Sequence, residues 1–487
     1  MKRPPLWFWL AAALALLPFM ISGESLWIDE AQTAKYAREP DFASFVDRLI
    51  HDSYSEAMMP LPMALAWGWV RLLGDGEIAL RLPNLLYLAA AFWAVWRLGV
   101  RAAFAPLVLM LACHPFVWFY ANEARPYALQ IALASLLLLC ADGIHQAGPS
   151  PRRTAVFLLL AWLLSATSML AVFPVAILSL VLISGAWRRR VTLEKRTLWI
   201  LLAGVLVFLP LGLFYLSAVL RGSSSARLWS VGAQNLVFTI YEMVGAQGLG
   251  PGRTEMREAA SSMGSLVRCF APHLPLLSAH GLCLLLWVRY ANVPRGDVAG
   301  ARLARLCTVW FAFSLLLVFT LAVSAHFPFW GRHFAPVFPA FLVAALLWRP
   351  APGRFRFAGW MPLLLGLLWL ASSLGVRFSP RFAKDDYREA ARVAKEALAR
   401  GETVWWAANT EAGVFYGLPA GSTDRFRIFM SPGEKDLDGV ATARLIILSK
   451  PDIYDASAHL RDYVAQHRYE RMARLPAFDI WRRRVTE

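Results

Sequence analysis

Charge is scarce in this chain: 17% of its 487 residues are Asp, Glu, Lys or Arg, while 58% are hydrophobic. With a mean hydropathy of +0.48, that is more apolar surface than a soluble domain of this length can bury, and it reads as a polytopic membrane protein. Cysteine is scarce too. Of the five, Cys113, Cys140, Cys283 and Cys307 fall within apolar runs and Cys269 at the edge of one. None has the spacing of a metal site, so neither a disulfide framework nor cysteine chemistry is expected. There is no internal repeat, low-complexity tract, phosphate-binding glycine loop or HExxH element, so ATP-driven transport has no support. Acidic residues are outnumbered 33 to 49, for a net charge of +16. The basic residues sit in short clusters between apolar runs rather than on one soluble module, which argues for membrane topology and against nucleic acid.

Those clusters orient the apolar runs. They are Arg97 and Arg101; Arg152 and Arg153; Arg188 to Arg190 with Lys195 and Arg196; Arg289, Arg295, Arg302 and Arg305; and Arg349, Arg354 and Arg356. If all face the cytoplasm with Lys2 and Arg3, the chain threads as about eleven spans. These cover roughly residues 5–22, 81–99, 103–120, 126–144, 154–168, 169–187, 197–220, 270–289, 304–325, 332–348 and 357–376. The stretch from Thr154 to Trp187 is long for one helix and short for two, so a break is expected near Ser168. Ser22-Gly23-Glu24-Ser25 is a poor cleavage context, so the first apolar run is expected to be a retained helix. An odd number of spans places the C-terminus outside.

This threading divides the chain into a membrane domain, 1–376, and an outer soluble domain, 377–487. Two outer loops interrupt the first, at roughly 23–80 and 221–269. Within the first loop, Pro60 to Leu73 is apolar and Trp-rich but too short to span, and Asp41 to Ile50 has an amphipathic pattern; both are expected as interfacial helices. The second loop, with Gly222-Ser223-Ser224-Ser225 and a glycine-rich run to Gly252, reads as a flexible linker or a substrate-gating loop. In the tail, Asp386 to Arg400 has helical spacing, and Thr403 to Ala407 and Arg444 to Ser449 are strand-like, so a small α/β domain is expected.

The acidic pair Asp29-Glu30 stands just beyond the first apolar run. Carboxylates at a bilayer boundary are costly unless they face water or carry chemistry. The pair therefore marks either the start of a solvated juxtamembrane helix or an active site at the membrane face.

Several segments carry a family resemblance: Trp27-Ile28-Asp29-Glu30-Ala31, LLGDGEIALRLPNLLY at Leu72 to Tyr87, NEARPYAL at Asn122 to Leu129, GRHFAPVFPAF at Gly331 to Phe341, and KDDYREAA at Lys384 to Ala391. In this order the sequence resembles the bacterial GT-C membrane glycosyltransferases, the superfamily of the protein O-mannosyltransferases and lipid A aminoarabinose transferases. The resemblance implies a mostly α, polytopic bundle of GT-C type in the bacterial inner membrane, with its active site and C-terminal domain on the outer, periplasmic face. It implies a polyprenyl-phosphate-linked sugar as donor and a glycolipid, polysaccharide or protein as acceptor. Asp29 would be the catalytic acid/base, with Glu30 shaping the site. Glycosyl transfer needs a carboxylate to take the acceptor proton and cations to hold the departing phosphate. Arg81, Arg332 and Arg125 are candidates for the phosphate, and Glu56, Glu123, Tyr127 and His333 for the substrate cavity. Against this, Arg81 can snorkel to the interface, and Glu123 with Arg125 can simply cap a helix junction.

One departure bears on metals. Relatives commonly carry a His-Pro-Pro or Lys-Pro-Pro element in the first loop, where this chain has Met58-Met59-Pro60-Leu61-Pro62. No metal is therefore assigned, although Asp29 and Glu56 offer oxygens to a weakly held Mg²⁺ or Mn²⁺. A translocator or assembly protein that keeps the bundle without the chemistry, and an oligosaccharide ligase using a diphosphate donor, stay open as alternatives.

Overall fold

The computed structural model describes residues 5–52, 55–221, 231–252, 255–256, 259, 262–292, 298–327, 329–350, 359–437 and 442–484. Lys2, Arg3, Arg295, Arg354, Arg356 and Gly222 to Ser225 lie outside the described residues. The chain forms a helical bundle followed by a small mixed sheet.

Among the described residues, seven helices are long and apolar enough to cross a bilayer: Glu77–Arg101, Tyr127–Ala147, Met169–Arg188, Lys195–Leu220, Gly264–Arg289, Val298–Ala325 and Met361–Phe378. The other four expected spans fall on shorter pieces. One is α1 (Leu6–Leu14), which runs on through a 3-10 turn to Phe19. After α2 (Ile28–Ala37), α3 (Phe42–His51), α4 (Pro60–Leu73), α5 (Glu77–Arg81) and α6 (Pro83–Arg101), the next is split into α7 (Leu107–Ala112) and α8 (Pro115–Ala121). Pro115 brings no N–H to the helix ladder, and the His114 ring caps the new start by accepting from Phe116 N at 3.2 Å. Then follow α9 (Tyr127–Ala147), α10 (Pro151–Thr167), α11 (Val172–Arg188) and α12 (Lys195–Leu220). The break expected near Ser168 is present: Ser168 is extended (φ −170°, ψ 141°) and a 3-10 turn leads into α11. The last short piece is Phe338–Leu347.

The first loop forms helices at both expected places, α3 and α4. Asp41 caps α3, accepting from Ser44 N at 2.8 Å, and Phe45 and Leu49 turn inward against Tyr36 and Met63. The bundle core is aromatic: Trp118, Trp310, Phe116 and Phe338 are buried, and Trp310 Nε1 donates to Pro174 O at 2.9 Å. The described part of the second loop is seated on the bundle. Gly248 N donates to Ser372 Oγ at 2.9 Å, and a Cβ at 248 would meet Ser372 O at 1.8 Å, so only glycine allows that approach.

Strands β1 (Ala291–Asn292) and β2 (Arg349–Pro350) make a two-residue antiparallel clasp between helix ends. Beyond Phe378 come the helix Tyr387–Ala399 and strands β3 (Val404–Ala407), β4 (Phe426–Ile428), β5 (Leu445–Ser449), β6 (Tyr469–Leu475) and β7 (Phe478–Arg483). The sheet order is β4-β3-β5-β7-β6, with β4, β3 and β5 parallel and β7 and β6 antiparallel to their neighbours. β3 and β5 are central and fully buried, which is why they read as continuous apolar runs. The α/β character expected of the tail is present. Its core also takes in Ala31 and Ile28 of α2, and Tyr416 Oη accepts from Leu26 N at 2.7 Å. The sheet thus clamps the turn that delivers Asp29 and Glu30.

Candidate active site

Asp29 and Glu30 lie in the first turn of α2, where acids suit the helix dipole. Successive helical residues point about 100° apart, so two adjacent acids cannot share a face. Glu30 points inward and is fully buried. Arg81 Nε and Nη2 donate to its two oxygens at 2.8 Å each, Ala124 N at 2.8 Å and Lys384 Nζ at 2.8 Å. Burial works against its charge, but Arg81 and Lys384 outweigh it and hold the carboxyl at about 2.

Both partners are committed to this network. Glu30, expected to shape the site, is ionised and fully buried in it and fixes the start of α2. Arg81 spends its remaining donors on the carbonyls of Ser22 (2.7 Å), Glu24 (2.7 Å) and Ser25 (3.2 Å). With its side chain fully buried, it has no donor left for a phosphate. The sequence could not show this, because its partner lies 51 positions away.

A second lock joins Arg125 and Glu56. Arg125 Nη1 meets Glu56 Oε1 at 2.5 Å, and also Asp29 O at 3.0 Å and Thr33 Oγ1 at 3.2 Å. Both side chains are buried, so Glu56 is committed to this lock, while Arg125 holds the Asp29 carbonyl and lends Asp29 its charge.

Asp29 differs. Among the described residues only Arg332 bonds its carboxylate, Nη1 to Oδ2 at 2.9 Å, and the two side chains remain 26% and 27% exposed. Burial would raise its carboxyl, but the charges of Arg332, Arg125 and Lys450 together hold it below the usual carboxylate value. Tyr127 is buried edge-on to Tyr120, 4.8 Å between ring centroids, and close enough to Arg332 to feel its charge. His333 Nδ1 accepts from Trp330 N at 3.4 Å and caps the turn that carries Arg332. Burial, with Arg332 beside it, pushes its ring down to about 3, so it is neutral.

Next to this pair, between α8, the end of the helix Met361–Phe378 and the C-terminal unit, lies a cavity of about 900 Å³ of empty space, part of it open to solvent. Glu123 lines it. Four cations that sequence reasoning did not place there line it too: Arg377, Arg381, Lys384 and Lys450. Lys450 leaves the end of β5 in a left-handed turn (φ 40°), bonds Asp385 at 2.5 Å and stands 5.7 Å from the centre of the Trp27 ring. Asp29 is not in the lining itself; Trp27, two residues earlier, is. A signal for the cations existed: Arg377, Arg381 and Lys384 fall within eight residues on the side of the last span where the positive-inside rule expects few.

The carboxylates suggested for a divalent ion do not fit one. Glu56 and Asp29 are each held by an arginine, and among the described residues no group of three His, Cys, Asp or Glu side chains converges.

No protein-family model matches the chain, and no curated protein sequence does. Solved structures do. ArnT from Cupriavidus metallidurans in the apo state is similar at 16% identity over 97% of both chains, with a TM-score of 0.48. The same protein bound to undecaprenyl phosphate gives 15% identity, 97% of both chains and 0.44. The Archaeoglobus fulgidus oligosaccharyltransferase in complex with Zn and sulfate gives 12%, 95% of this chain and 71% of that one, and 0.45. At such scores neither activity nor ligand follows.

Proposed function

We propose that this protein is a membrane glycosyltransferase that moves a sugar from a polyprenyl-phosphate-linked donor to a glycolipid, polysaccharide or protein acceptor at the outer face of the bacterial inner membrane. One observation carries the reading. Of the three acids Asp29, Glu30 and Glu56, Glu30 and Glu56 are locked on buried cations, while Asp29 alone is partly exposed and held by a single, partly exposed arginine.

The chemistry follows from that asymmetry. The donor phosphate enters the cation-lined cavity, where Lys450, Arg377 and Arg381 supply charge-assisted hydrogen bonds. Its charge draws Arg332 away from Asp29. Once released, the carboxylate is a stronger base and takes the acceptor hydroxyl proton as that oxygen attacks the anomeric carbon. The bond from that carbon to the phosphate oxygen breaks, and the electron pair leaves on the polyprenyl phosphate, whose added charge the cavity cations receive. Among the described residues the other two acids around α2, Glu30 and Glu56, are locked on buried arginines, which favours a single displacement with inversion over a glycosyl-enzyme intermediate. No step needs a divalent ion.

The test is Asp29→Asn with a polyprenyl-phosphate sugar as donor. Transfer should fall by about two to four orders of magnitude, the usual contribution of a general base, with donor binding kept. Near-normal transfer would instead favour a translocator or assembly protein.

A further inference from the structure

The end of the bundle away from Asp29 holds a second concavity with a different chemistry. α9 leaves the site at Tyr127 and is 21 residues long, so its other end lies about 30 Å off, near the opposite bilayer face. The helix Val298–Ala325, which leads out to Arg332, begins at that same end. Between these two ends and α11 runs a groove walled by Val181, Leu306 and Val309, with His145, Arg302 and Arg305 in its lining.

Among the described residues no acid answers these cations. Among the described residues, neither Arg302 nor Arg305 has an ion-pair partner. Arg189, at the end of α11, is held over the rim by carbonyls, donating to His145 O at 2.7 Å and Gly185 O at 3.1 Å. Asp142, the acid on this stretch of α9, is taken by Arg101 at 3.0 Å and Gln146 at 2.8 Å. Two guanidinium groups therefore line a groove whose walls are hydrocarbon and continue along spanning helices, and a third, that of Arg189, is bonded to His145 of its lining. A free anion would account for the arginines but not for the walls. A neutral lipid would account for the walls but not for the arginines.

We propose that this groove binds an acidic phospholipid of the leaflet opposite the active site. Arg302, Arg305 and Arg189 hold the phosphodiester, and one acyl chain lies along Val181 and Val309.

The full-length protein, purified in mild detergent and examined by native mass spectrometry, tests this with phosphatidylglycerol and phosphatidylethanolamine as probes. The wild type should retain phosphatidylglycerol with about tenfold or greater preference, and millimolar inorganic phosphate should not displace it. Arg302→Gln with Arg305→Gln should abolish the preference. Val181→Trp, which fills the groove and keeps every charge, should abolish retention, and it decides the matter if the double variant fails to fold. Arg196→Gln, on α12 and outside the groove lining, should change nothing. Retention by Val181→Trp, displacement by inorganic phosphate, or an equal loss in Arg196→Gln would each overturn the proposal.

Discussion

Glu30 and Asp29 are neighbours in one helical turn, and each pairs with an arginine, yet they do opposite things. The Arg81–Glu30 pair is bidentate, fully buried and backed by Lys384, Ala124 N and three carbonyls. The Arg332–Asp29 pair is one hydrogen bond at a quarter exposure. Ion pairing alone therefore does not mark an active group. What separates fixture from function is how many further bonds hold the cation and whether solvent reaches the acid. Arg81 uses every donor on protein, so it fixes the loop from Ser22 to Ser25 and with it the direction of α2. Arg332 keeps donors in reserve, so a phosphate can compete for it.

The sharpest way to break this contrast is to exchange the two losses. Asp29→Asn should remove about 3 to 5 kcal/mol of transition-state stabilisation, yet change thermal stability by under about 1 kcal/mol, as expected for a partly exposed pair. Glu30→Gln should do the reverse. It leaves Arg81 and Lys384 buried against a neutral group, and stability should fall by about 3 to 5 kcal/mol, read as a lower midpoint in fluorescence-detected thermal denaturation. If Glu30→Gln folded normally and lost only turnover, Glu30 would belong to the chemistry and the contrast would fail.

Arg81→Lys separates the lock from a phosphate clamp. A lysine cannot supply the planar fork that meets Glu30, nor reach three carbonyls at once, so the variant should be less stable by about 2 to 4 kcal/mol. Donor affinity per folded molecule should be unchanged; a loss confined to affinity would return Arg81 to the phosphate.

A smaller effect is expected from the cavity. Lys450→Gln keeps a donor for Asp385 but removes a cation from the lining, so donor Kd should rise by the equivalent of about 1 to 3 kcal/mol, the range of a charge-assisted hydrogen bond. Unchanged affinity, measured by titration with the polyprenyl phosphate, would place the phosphate elsewhere.

How much of this was legible depends on the distance over which each signal acts. Asp29 is marked locally, by an acid at a membrane boundary beside Trp27. The interfacial helices and the central strands β3 and β5 follow from spacing and apolar runs. The edge strands β4 and β6, and β7 beside β6, do not, because their exposed faces mix charge with apolar residues. Which arginine is locked cannot be read from a chain, since Arg81 and Glu30 differ from Arg332 and Asp29 only in what folds around them. Lys450 is the extreme case: it joins the site only because the sheet returns to α2, more than four hundred residues after Trp27.

The finest test concerns how Arg332 governs Asp29. In the free protein, burial raises the Asp29 carboxyl, while Arg332, Arg125 and Lys450 together lower it by more. Removing the Arg332 charge in Arg332→Gln leaves burial opposed by fewer cations, so the carboxyl titrates at higher pH. A base must be ionised to work, so the acid limb of kcat/KM, which reports the free protein, should move to higher pH, and relative activity at mildly acid pH and low donor should drop. Arg332→Lys keeps the charge and should leave the limb near its original place, even if donor affinity falls with the lost fork. A merely structural arginine would lower kcat/KM at every pH without moving the limb. A limb that moved to lower pH, or that moved equally in the lysine variant, would show that Arg332 does not set the readiness of Asp29.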